Sequence, residues 1–276
     1  MNRMPKISFV GDLTIDKYVD SGDIRLGGAA LNSAIWAKRL GAKASIVTSI
    51  GNDQPAELLI KKINEEKINA GGIQIVEGAT SSIEIHVNAQ GERSYGTWNP
   101  GTLAKYHLRG MDILHLHTQD AVAITIYPQY IRILDELRPL RIHRNKKPLI
   151  VINFGDLREF HAYPAVVDEY CQLADICVFG LDKQEDENRI NDLRSIARRT
   201  DTIMLITLAS HGSLVYTKND TFVQPAQQVQ AIDTTGGGDA FLAGFLVSYC
   251  KNHDITQSLQ AGTDTATKAI LQLGAY

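Results

Sequence analysis

The sequence has few of the features that mark secreted, membrane-spanning or polyanion-binding proteins. It has three cysteines in 276 residues, Cys171, Cys177 and Cys250. An odd number without C-x-x-C spacing indicates neither a disulfide framework nor a zinc site, and suits a reducing cytoplasm. No apolar run approaches the roughly 18 residues of a membrane span, and the opening MNRMPKISFVGD has too short an apolar core for a signal peptide. With 28 Lys and Arg against 31 Asp and Glu, the net charge is −3, so there is no broad basic field for nucleic acid or an anionic membrane. Repeats, low-complexity tracts and linkers are also lacking, and the one charge run, residues 141–147 (RIHRNKK), reads as a solvated loop. The expectation is a cytoplasmic protein that handles small molecules.

What is present is an ordinary globular composition, 44% hydrophobic and 21% charged, with 22 glycines. Short apolar runs at 6–10, 44–50, 112–116, 149–154, 176–179 and 204–208 read as buried strands. Helical patterns lie between and after them at 30–40, 54–65, 129–137, 186–199, 240–251 and 255–273. The alternation predicts a doubly wound, mostly parallel α/β sheet flanked by helices, as one domain over residues 1–276. Residues 81–98 (SSIEIHVNAQGERSYGTW) break the rhythm: apolar and polar residues alternate across the polar turn 88–91, as in a hairpin. They predict a small β lid, with 14–26 as a further candidate segment; an edge hairpin of the main sheet is the alternative.

The chemistry is concentrated in Asp233-Thr-Thr-Gly-Gly-Gly-Asp239. Gly236, Gly237 and Gly238 open an amphipathic helix, so bare backbone N–H groups gather where the helix dipole is positive. The loop is not a Walker A motif, which places Lys and Ser or Thr after its last glycine, and Phe241 stands where a dinucleotide fingerprint needs a small residue. Asp239 beside an anion cradle fits phosphoryl transfer, in which backbone donors stabilise charge on the transferred group and an aspartate takes the proton of the accepting hydroxyl. The plainer reading is a helix-capping acid.

Asp-Thr-x-Gly-x-Gly-Asp resembles the nucleotide-site motif of the ribokinase-like, or PfkB, carbohydrate kinases, and Gly27-Gly28-Ala-Ala-Leu-Asn32 with Gly41 and Gly51 resembles that family's N-terminal motif. The resemblance implies an ATP-dependent sugar kinase with Asp239 as base and Gly236 to Gly238 as anion hole. It implies sugar contacts from Asp12, Asp16, Gly27, Gly28 and Asn32, and nucleotide contacts from Thr207, Gly212, Thr235 and Thr263. Glu185 becomes the candidate for orienting water on Mg2+, and Asp233 for a monovalent cation such as K+. Two positions depart from the family: Asp182 replaces an asparagine, and Ala209 replaces a glycine, which makes a positive φ costly and predicts a changed path for the 207–212 loop.

Within that family, residues 12–16, 27–32, 112–115, 184–187 and 261–268, with the ending Gly274-Ala-Tyr276, resemble the fructoselysine 6-kinases. The implied substrate is a ketosamine phosphorylated on its 6-hydroxyl, with Glu84, Glu92 and Arg93 of the lid as candidates for the charged tail. Ribose, fructose or a nucleoside is the alternative within the same chemistry. A catalytically silent sugar or nucleotide sensor and a dinucleotide-dependent oxidoreductase are the other classes; intact Asp239 argues against the first, and the lack of G-x-G-x-x-G after the first strand against the second. The lid is also the expected homodimer surface. His115 and His117, read as one face of a strand, offer two metal ligands without a third.

Overall fold

The computed structural model describes residues 3–87, 93–142, 148–160 and 163–276. The chain begins with β1 (Lys6–Val10), β2 (Thr14–Tyr18), β3 (Ile24–Gly27), α1 (Ala29–Arg39) and β4 (Lys43–Ile50). It continues through α2 (Gln54–Glu65), β5 (Asn69–Ile75), β6 (Ser81–Val87), β7 (Arg93–Asn99), α3 (Gly110–His117) and β8 (Ala121–Thr125). Then follow α4 (Ile133–Glu136), α5 (Pro139–Ile142), β9 (Leu149–Gly155), α6 (Ala165–Tyr170) and β10 (Ile176–Gly180). The last part comprises α7 (Glu187–Arg199), β11 (Ile203–Thr207), β12 (Ser213–Tyr216), β13 (Thr221–Gln224), α8 (Gly237–Asn252) and α9 (Ile255–Ile270).

The main sheet has the order β13-β12-β11-β10-β9-β8-β1-β4-β5, parallel from β5 to β11 and antiparallel at β12 and β13. Its central strands are apolar runs because both faces are covered. Ile7, Phe9, Ile176 and Val178 join a core built with α1, α2, α8 and α9. Val10, Cys177 and Phe179 join the opposite one, beneath α4 to α7. No helix among the described residues is long and apolar enough to cross a membrane.

The expected hairpin lies outside this sheet. β6 and β7 pair with each other, and β6 also pairs parallel to β2, giving a separate sheet of order β3-β2-β6-β7. The segment 14–26 supplies β2 and most of β3 to this smaller sheet, here called the lid. The turn 88–91 and Glu92 lie outside the described residues, as does the side chain of Arg93.

Two expected elements differ. Residues 112–116, read as a strand, form most of α3, and the strand is β8, residues 121–125. The run D-I-L-H-L-H mimics strand alternation, but Asp112 accepts the Arg109 backbone N–H at 2.8 Å and caps a helical first turn. Leu116 is buried while Leu114 is 70% exposed, as a helix wheel dictates. His115 and His117 therefore do not share a strand face; His115 Nε2 meets Ser45 Oγ at 3.0 Å and Ser8 Oγ at 3.2 Å. The second difference is the helix expected at 129–137, which is a 3-10 turn followed by the short α4.

Candidate active site

Parallel strands deliver their C-terminal ends to one edge of the sheet, where ligand crevices form. Asp12 follows β1, Asn153 and Gly155 end β9, Gly180 ends β10 and Thr207 ends β11. With the lid and the N-terminus of α8, these ends wall two clefts of about 770 Å³ and about 590 Å³. The larger contains Asp12, Asp16, Gly28, Asn32, Thr235 and Asp239. The smaller contains Thr207, Gly212 and Thr263, with the loop at 226–229 on its other side. Gly180, Thr207 and Gly238 belong to both, so the clefts meet at the start of α8.

Local geometry explains the glycines at two places. Gly28 has φ +102, and a Cβ there would lie 2.5 Å from the Asp12 carbonyl oxygen, so no other residue lets β3 turn into α1 so closely over β1. Gly236 is the N-cap of α8 with φ +72, contributes no capping side chain, and packs its Cα face against Ala275. First-turn N–H groups of α8 are left without a side-chain cap at the seam between the clefts, as an anion site requires.

Asp239 sits in that first turn. Asn32 of α1 donates its Nδ2 hydrogen to Asp239 Oδ2 at 2.9 Å, which orients the carboxyl from the opposite wall. Burial pushes the Asp239 pKa up to about 7; the nearby Asp12 carboxylate adds to the rise and the Asn32 bond opposes it. A carboxylate tuned to that range suits a general base at neutral pH. Asn32 Oδ1 is buried without a hydrogen-bond partner, an acceptor suited to a ligand hydroxyl. Burial likewise raises Asp12, although Thr14 Oγ1 (3.0 Å) and the Ala29 N–H (3.2 Å) donate to it. Asp16 extends from β2 over Gly27, where a Cβ would stand 3.1 Å from its oxygens.

The other expected residues are placed differently. Asp233 accepts the backbone N–H of Thr235 at 3.0 Å and of Gly274 at 2.9 Å, tying the loop before α8 to residues 274–276. The tail is fixed further by Trp36 Nε1 donating to the Ala275 carbonyl and Tyr276 Oη donating to the Leu26 carbonyl, each at 2.9 Å. Asp182 accepts the N–H groups of Gln184 and Glu185, which hold its pKa low. Glu185 is 72% exposed, accepts from Arg158 at 3.2 Å and lines neither cleft. Among the described residues no cluster of three or more His, Cys, Asp or Glu is placed to hold a metal ion. Mg2+ is commonly held by one or two carboxylates, water and substrate phosphates; Asp182, in the lining of the smaller cleft, fits that limited role, while Glu185 stands outside the lining and is paired with Arg158.

Ala209 takes up the positive φ that alanine disfavours. It adopts φ +47, because the β11–β12 pairing, Gly212 at φ +92 and the Leu208 N–H to Gly212 carbonyl bond of 2.8 Å fix the turn around it. The strain is about 1 kcal/mol. Ala209→Gly is expected to raise the melting temperature by roughly 2–4 °C; a lower one in a calorimetric scan would show the loop is unstrained.

Sequence reading missed Asn153, Arg158, Trp98 and the loop at 226–229. Arg158 lines the smaller cleft and is paired to Asp156 at 2.6 Å. Polar residues immediately after a buried strand, as in Asn153-Phe-Gly-Asp-Leu-Arg158, were the available signal. Trp98, whose ring lies 4.9 Å from that of Tyr127, forms an aromatic wall of the larger cleft.

Comparison with known proteins identifies the family and the fold. The model of the pfkB family of carbohydrate kinases matches residues 8–276. Fructosamine kinase FrlD of Bacillus subtilis is 28% identical, covering 98% of this chain and 93% of its own. Fructoselysine 6-kinase of Escherichia coli is 26% identical, covering 99% and 100%. Among solved structures, a ribokinase of Arabidopsis thaliana complexed with ribose and ATP superposes with TM-score 0.81 at 16% identity, over 99% of this chain and 95% of its own. A sugar kinase of Pyrococcus horikoshii in complex with ATP gives 0.79 at 21% identity, over 98% and 93%.

Proposed function

The chain belongs to the pfkB family of carbohydrate kinases and is a sugar kinase, and from that premise we propose that it transfers the γ-phosphoryl of ATP to the 6-hydroxyl of fructoselysine or a related ketosamine. The observation that carries the transfer is the meeting of two clefts at Gly238 in the first turn of α8, next to Asp239 of the larger cleft. ATP occupies the smaller cleft, with its phosphates toward Thr207, Gly238 and Arg158. The sugar occupies the larger one, held by Asp12, Asp16, Gly28 and Asn32. Asp239 takes the hydroxyl proton as that oxygen bonds to the γ-phosphorus, and the bond to the bridging oxygen breaks to release ADP. The uncapped N–H groups of α8 stabilise charge on the transferred group. Mg2+, when bound with the phosphates, supplies charge neutralisation. K+ is proposed at Asp233, the position the family resemblance implies, whose oxygens accept the Thr235 and Gly274 N–H groups in the loop before α8.

Two supports favour a ketosamine over other sugars. Both curated relatives named above carry that substrate class in their names. The described residues lining the larger cleft include Asp12, Asp16 and Asp239 and no Lys, Arg or His, beside the faces of Trp98 and Tyr127. These carboxylates and aromatic faces are suited to receive a secondary ammonium on C1. The test is ADP release from ATP with fructoselysine, fructosyl-glycine, fructose, ribose and a nucleoside, with and without Mg2+ and K+. The expected result is Mg2+-dependent turnover with the highest kcat/KM on a ketosamine. Faster turnover of ribose or fructose than of every ketosamine would reject the substrate.

A further inference from the structure

A cavity of about 290 Å³ adjoins the sugar cleft, and Asp16 and Thr235 contribute to the walls of both. Its remaining sides include Tyr18, Arg25, Lys62 and Tyr276. The two spaces differ in charge: the described lining of the cleft has carboxylates and no cation, whereas the cavity has two cations. Lys62 is engaged, paired to Glu66 at 2.7 Å with its ammonium 5.1 Å from the Tyr276 ring centre. Arg25 is held differently. Its guanidinium lies over the Tyr18 ring at 4.7 Å, which fixes the plane while leaving the N–H edge for an acceptor. It makes no ion pair among the described residues.

The register of the lid places Arg25 beside Asp16. Asp16 of β2 and Arg25 of β3 are direct cross-strand partners, so their side chains leave the same face with Cβ atoms about 5 Å apart. One strand pair thus presents a carboxylate and a guanidinium side by side, complementary to a molecule that carries an ammonium and a carboxylate on one substituent. A hexose presenting its 6-hydroxyl to Asp239 directs C1 away from the base, and an amino acid joined at C1 carries both those charges.

We propose that Arg25 and the cavity beside Asp16 form the carboxylate subsite for an amino acid carried on C1 of the sugar. The subsite rests on the ketosamine reading and extends it: the enzyme distinguishes fructosyl amino acids from fructosyl amines. A guanidinium–carboxylate hydrogen bond in a partly enclosed site supports a preference of roughly 10- to 100-fold.

The experiment compares fructoselysine with its carboxamide, which keeps the sugar and the secondary amine and loses only the negative charge. In the parent enzyme kcat/KM for the acid is expected to exceed that for the amide by about 10- to 100-fold. Arg25→Gln is expected to bring the ratio near one, and Arg25→Lys to restore part of it. Because the ratio is taken within one preparation, it does not depend on the fraction folded. Equal use of acid and amide by the parent, or a ratio unchanged in Arg25→Gln, overturns the subsite and leaves the ketosamine reading standing. Turnover of a plain sugar with none of either ketosamine overturns that reading and the subsite with it.

Discussion

Asp239→Asn is expected to lower kcat by roughly 10³- to 10⁴-fold with KM for ATP changed less than about threefold. The amide keeps the shape and a hydrogen-bonding relation to Asn32 but cannot take a proton. The smaller cleft is left intact, so nucleotide affinity has no reason to change. The same residue sets the pH dependence. With its pKa raised to about 7 by burial, the parent is expected to gain kcat/KM as pH rises through 7 and then level off. Stability moves the other way. The folded carboxyl holds its proton more tightly than the unfolded one, so ionisation disfavours the folded state increasingly from about pH 4 to pH 7. Asp239→Asn lacks that cost and is expected to melt higher than the parent above pH 7, with the difference gone near pH 4. A fully active Asn variant, or a pH–rate profile flat from 6 to 8, would remove Asp239 from the role of base.

Asp16→Ala is expected to lower kcat/KM for the sugar by about 10²- to 10³-fold while sparing KM for ATP. A carboxylate oxygen bonded to a hydroxyl or an ammonium contributes roughly 1.5–3 kcal/mol, and Asp16 offers two such oxygens above Gly27. Asp16→Asn keeps one acceptor and loses the charge, so neutral sugars are expected to suffer less from it than a cationic sugar amine. Steady-state kinetics with fructose and a fructosyl amine reads both. An Asp16→Ala enzyme with normal sugar kinetics would mean that the sugar lies elsewhere in the cleft.

The parts of this fold that were legible in sequence are those where burial dictates the pattern. β1, β4, β9, β10 and β11 are covered on both faces and read as short, predominantly apolar runs. The start of α8 was legible because three successive glycines and an acid have few structural uses together. α3 was misread since its run D-I-L-H-L-H, residues 112–117, satisfies both periods, and only the Asp112 cap decides between them. β12 and β13 carry no strong signal because they are short strands at the edge of the sheet. Arg158 and Asn153 carried only the general signal of polar residues at a strand end, because which strand ends line a cleft follows from the crossover of parallel strands, which local spacing does not encode. Ala209 shows the limit of arguing from one residue's preference, since its turn is set by Gly212 and the neighbouring strand pairing.

The seam between the two clefts has a use for ligand design. Gly180, Thr207 and Gly238 face both spaces, so a single molecule joining a hexose to an adenosine polyphosphate crosses no protein wall on its way from one to the other. Such a conjugate gains the binding of both halves while losing the freedom of one body. Its inhibition would be competitive against either substrate, and the linker length that binds best would measure how far the accepting hydroxyl stands from the departing ADP.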